Sequence, residues 1–168
     1  MNENRTERQR VRHVMSDASQ RMTHPAVLAA LTNLEVDYWY EVDRNWGRHA
    51  HAFYADDGEF TIGAKVMRGK DAVANFYRWR ESRGERTARH IVTNFRLSAL
   101  DGNRATFECI MCLYAADGRP VLPSLPAIMI ADVIGECERG DDGRWRFLSH
   151  RLLPVFEGGE PATIPPDA

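Results

Sequence analysis

The first informative pattern in the chain runs from 23 to 44, where Val27, Leu28, Leu31, Leu34, Tyr38 and Trp39 recur at intervals of three or four. That spacing gathers them on one face of a helix. Thr23 is a candidate N-cap and Pro25 falls in the first turn, which together form a start signal. A second, shorter helix is predicted over 46–54. Two short apolar runs flanking Gly63 and Ala64 then read as a small hairpin. Val73, Phe76, Tyr77 and Arg80 predict a third helix over 71–83, stopped by Gly84. Past Gly84 the grammar becomes that of strands: RTARHIVTNFRLSAL, RATFECIMCLYAADGR, PAIMIADVIGECER and RWRFLSHRLLPVF, with the turn signals DGN and GDDG closing two hairpins. Helices first and long strands last predict an α+β fold, cone-like and barrel-shaped. About three N-terminal helices would cover one face of a strongly curved mixed or antiparallel sheet and leave a pocket between the layers.

The polar stretch 1–22 has no sustained apolar face and reads as a flexible or loosely docked arm. The Gly- and Pro-containing stretch 157–168 reads as an irregular tail, so the domain proper is expected over 23–156. The segment GRPVLPSLPAIM (118–129), with three prolines, is too rigid for a tight hairpin and is expected at a pocket mouth or a subunit interface.

Composition narrows the partners. Of 168 residues, 22 are basic and 24 acidic, a net charge of −2, and the arginines are scattered among acids, so neither nucleic acid nor an anionic membrane surface is expected. No apolar run reaches the roughly 18 residues of a membrane span. The opening MNENRTERQRVRHVM lacks a signal-peptide core and the chain has three cysteines, an odd number, which together predict a cytoplasmic protein. Cys109 and Cys112 point to opposite faces of a strand, and His49 and His51 diverge on a helix, so no metal site is expected. Without a Walker loop, a dinucleotide fingerprint or a G-x-S-x-G elbow, the chemistry is expected to need no cofactor.

Two ionisable residues stand where apolar ones would be usual. Asp43 ends the first helical stripe. His90 opens the first long strand, with Ala88, Val92 and Asn94 on the same face. A carboxylate holding one ring nitrogen of a histidine, with the other aimed into an apolar pocket, makes a competent general base. The plainer alternative is that Asp43 meets the helix end or solvent while His90 is a satisfied core residue. Tyr38, Trp39, Tyr54 and Phe60 are candidate pocket walls.

The segments YEVDRNWGRHAHAFYADDGEFTIG (40–63), RGKDAVANFY (68–77), TARHIVTNFRL (87–97) and GDDGRWRF (140–147) resemble the SnoaL-like branch of the nuclear transport factor 2-like superfamily. In catalytic positions the resemblance is nearest to scytalone dehydratase and hexachlorocyclohexane dehydrochlorinase, and it carries their Asp–His dyad onto Asp43 and His90. It departs from them elsewhere. Val42 and Phe60 stand where scytalone dehydratase has tyrosines, and ECIMCLY lacks its second histidine. Tyr38 stands where the dehydrochlorinase has a lysine, and either His150 or Arg151 falls where it has an arginine. By analogy with the isomerase branch, Asp132 could join Tyr38 or Tyr54 in an oxyanion hole. The resemblance implies a lyase (dehydration or elimination) or an isomerase acting on a small hydrophobic or aromatic metabolite. Its alternative is a non-catalytic binding or assembly module like the small subunits of ring-hydroxylating dioxygenases. A homo-oligomer, dimer or trimer, is expected in either case.

Overall fold

A computed structural model describes residues 24–158. Thr23, the arm at 1–22 and all but the start of the tail lie outside the described residues. Helix α1 spans Pro25–Asn45, with His24 at the N-cap and Pro25 in the first turn. Its stripe buries Leu31, Glu35, Tyr38 and Trp39. The helix ends because Trp46 and Gly47 both turn left-handed, with φ of 62° and 69°, and the Gly47 N–H donates to the Glu41 carbonyl at 3.3 Å. Only glycine fits at 47, since a Cβ there would lie 2.4 Å from the Tyr77 ring. This reversal corrects the helix expected over 46–54. A four-residue 3-10 helix, Ala50–Phe53, is all that fits before the chain extends. Among the described residues there are therefore two α-helices, Pro25–Asn45 and one later in the chain, in place of the three expected.

Strand β1 (Tyr54–Ile62) turns at Gly63 into β2 (Lys65–Arg68), its antiparallel partner. Helix α2 covers Gly69–Ser82. Four long strands follow: β3 (Arg86–Asp101), β4 (Arg104–Asp117), β5 (Met129–Arg139) and β6 (Trp145–Glu157). They form the expected antiparallel meander. In β4 the alternation is strict, with Ala105, Phe107, Cys109, Met111, Leu113 and Ala115 buried and their neighbours facing outward.

The six strands lie in the order β2-β1-β6-β5-β4-β3. β6 runs parallel to β1, so the sheet is mixed. Register shifts interrupt the ladders between Thr93 and Arg96, Leu97 and Ala99, Ile130 and Ala131, and Glu136 and Cys137. Each such bulge adds bend and twist, which lets the sheet wrap around the helices. α1 packs on β3 and β6 and α2 on β1 and β2, which leaves a cavity enclosed by α1, α2 and the inner face of the sheet.

Candidate active site

Asp43 sits in the last full turn of α1, and His90 points inward near the start of β3. The Asp43 carboxylate holds this histidine twice. Its Oδ2 accepts the His90 backbone N–H at 2.9 Å, and its Oδ1 is 2.7 Å from the ring Nδ1. Both side chains are less than one-tenth exposed. The indole of Trp39, one helical turn before Asp43, stacks on the imidazole with centroids 4.0 Å apart and planes within 13°. Ring position, ring plane and backbone are all fixed by α1. With Nδ1–H donated to the carboxylate, Nε2 is the nitrogen left to accept a proton.

The cavity is walled by Trp39, Val42, Trp46, Phe60, Phe76, Tyr77, Ala88 and aliphatic side chains of the sheet, with Asp43, His90, Arg80 and Arg86 as its ionisable members. Its volume of about 90 Å³, against the roughly 10–15 Å³ one water needs on the same measure, leaves room for a small organic molecule.

Among the other expected site residues, Trp39, Phe60 and Ala88 line this cavity. Tyr38, Tyr54 and His150 do not reach its wall. They are fully buried beneath it, where the Tyr38 and Tyr77 hydroxyls meet at 2.5 Å and Tyr54 Oη lies 3.1 Å from His150 Nδ1. Burial above all raises the pKa of all three tyrosines well above the ordinary phenol value, so they stay protonated. Strand parity decides between the two candidates on β6. His150 points inward, while Arg151 points outward to an ion pair with Glu136 at 2.9 Å. Asn94 leaves the inner face because the bulge at Thr93–Arg96 gives it a φ of 56° and breaks the alternation that begins at His90. Asp132 occupies an outward position of β5 and shares an external groove with Asn94. It cannot join Tyr38 or Tyr54 across the sheet.

Sequence reasoning missed three residues. Glu35 is fully buried, accepts the Trp39 indole N–H at 2.6 Å and places Oε2 3.1 Å from His150 Nε2, close in distance but poorly aligned for a hydrogen bond. Its signal was visible in the chain: an acid four residues after Leu31 and four before Trp39, inside the apolar stripe. Arg80 and Arg86 were hidden among many arginines. Among the described residues, no group of three or more His, Cys, Asp or Glu could hold a metal ion, and no helix is long and apolar enough to cross a membrane.

A two-layer α+β fold whose helix–sheet cavity carries a carboxylate-held histidine defines a class of small-molecule-binding scaffold. The chain belongs to the SnoaL-like domain family, whose model matches residues 26–151. No curated protein matches it. Among solved structures, a Novosphingobium aromaticivorans protein assigned as a scytalone dehydratase is 18% identical with a TM-score of 0.69, over 80% of this chain and 87% of that one. ActVI-ORFA of Streptomyces coelicolor is 15% identical with a TM-score of 0.65, over 77% and 98%. A chain assigned as the β subunit of an aromatic-ring-hydroxylating dioxygenase, also from N. aromaticivorans, is 11% identical with a TM-score of 0.70, over 84% and 96%. Identities this low establish a shared fold, an α+β scaffold with a mixed sheet.

Proposed function

We propose that the protein is a lyase, or an isomerase, that removes a proton from carbon in a small, mostly apolar cyclic substrate, with His90 as the base and Asp43 as its positioning partner. The observation that carries this reading is the double grip of Asp43 on His90. One carboxylate fixes both the backbone and the tautomer and faces the positive charge that develops as Nε2 takes the proton. In elimination, the electron pair of the broken C–H bond forms the double bond as a leaving group departs from the adjacent carbon. In isomerisation, the imidazolium returns its proton at another carbon. The likeness to a protein assigned as a scytalone dehydratase supports the elimination branch.

The competing reading is a binding or assembly module, supported by the likeness to a dioxygenase β subunit. Turnover separates the two. In a screen of small cyclic alcohols, ketones and halides, Asp43→Asn and His90→Gln are each expected to lower turnover by at least about 100-fold. The backbone N–H and ring resonances of His90 should both shift in Asp43→Asn, because the carboxylate that holds them is gone. Unchanged turnover in both variants, or His90 resonances indifferent to the change at Asp43, rejects the base assignment.

We also infer self-association through the outer face of the sheet, where Ile91, Tyr114 and Leu153 are exposed.

A further inference from the structure

The cavity wall contains a buried charge that the protein satisfies only in part. Arg86 opens β3 with its side chain 5% exposed, and neither of its buried Nη nitrogens has a hydrogen-bond partner. The carboxylate of Asp117 lies 3.7 Å from Nη1, beyond hydrogen-bond length, on a side chain that is itself 62% exposed. A second guanidinium, Arg80 of α2, lines the same cavity. Burial is the first cause that holds both below the ordinary arginine value, and for Arg80 the neighbouring charge of Arg86 is the second. Two crowded cations, one of them sealed with no hydrogen bond on either Nη and a single long ion pair, cost free energy that an anion arriving in the cavity would recover.

The strand also sets a distance. Arg86, Ala88 and His90 share one face of β3, so the guanidinium and the imidazole arise about 13 Å apart along the backbone. The residue between them is small and lines the cavity. A flat ring can lie across Ala88 with one end at each ionisable group. The guanidinium fork matches a planar two-oxygen anion, which it can hold through two parallel N–H···O bonds.

We propose that Arg86, assisted by Arg80, binds the carboxylate of a small cyclic acid that lies across Ala88 with its reacting carbon at His90. This rests on the reading of the cavity as the substrate site, and it names the substrate class: ring compounds bearing a carboxylate.

The test is a calorimetric titration of the full chain with benzoate and with benzamide, which has the same shape and no charge. Benzoate is expected to bind at least about 10-fold more tightly than benzamide. Arg86→Gln should abolish the preference, Arg86→Lys should keep part of it and Arg80→Gln should reduce it. Should Arg86→Gln fail to fold, the other two variants provide the same readout. Equal binding of the two compounds, no benzoate binding at about 10 mM, or a preference intact in every folded arginine variant overturns the proposal. So does a preference lost in His90→Gln, which would assign the anion to an imidazolium. Binding is measured without turnover, so an Arg86-dependent preference would stand even if the base assignment fell.

Discussion

Glu35 and His150 are the most demanding residues in the domain. Both are fully buried, and they support the site without reaching it: Glu35 fixes the Trp39 indole, which in turn stacks on His90. Truncating the acid alone strands the indole N–H and the His150 ring. Glu35→Leu is therefore expected to lower stability by about 3 kcal/mol in urea denaturation. Adding His150→Phe should recover part of that loss, because it removes the stranded ring, while the Trp39 indole N–H stays without its acceptor and the Tyr54 hydroxyl loses its ring nitrogen. Additive losses in the double variant would mean that the two residues are not coupled. Asp43 and His90 could be singled out from the chain because each is ionisable at a position whose neighbours in phase are apolar. Glu35 obeyed the same rule in the same helix. The arginines could not be read this way, since what singles out Arg86 is a buried guanidinium whose Nη groups find no hydrogen bond, a property of the folded surroundings and not of spacing.

At the scale of elements, period and turn chemistry told most of the story. The stripe of α1, the alternation of β4 and the GDDG turn were all readable, and the last is clamped in the fold by Asp142 accepting from both Nη groups of Arg146 at 3.0 and 2.6 Å. What misled was local backbone geometry. A left-handed Trp46 removed one helix, and a left-handed Asn94 turned β3 over by one face until the second register shift at Leu97–Ala99 turned it back; tryptophan does not announce such a conformation, and asparagine, which enters it more readily than most residues, does so only as a tendency. Gly135 is a third local device. It faces Phe107 across β4 and β5, and a Cβ there would stand 2.1 Å from the ring. The missing side chain lets Phe107 lie flat over β5 and stack with Phe95 at 4.6 Å. Gly135→Ala is expected to cost about 1–3 kcal/mol by overpacking, seen as a lower melting temperature. Phe107→Leu in the same chain should relieve most of it. A melting temperature unchanged by Gly135→Ala would show that the ring shifts freely.

For the whole molecule, the meander follows from its hairpins, but the parallel contact of β6 with β1 joins segments about 90 residues apart in sequence and leaves no local trace. The outer face of the finished sheet mixes Ile91, Tyr114 and Leu153 with the Arg151–Glu136 ion pair. Sedimentation over a range of concentrations should show a dimer or trimer that dissociates in Leu153→Glu. A monomer at every concentration rejects self-association through this face. The strand order also dictates when the protein can exist at all. As the chain leaves the ribosome, β1 and β2 have only each other, and among the described strands their bridge to the rest of the sheet is β6, the last of the six to be made. The histidine that meets Glu35 arrives on that same strand. Asp43 and His90 are both translated before β6, yet the layer beneath them is incomplete until that strand has been made, so the nascent domain must wait for it before it can close.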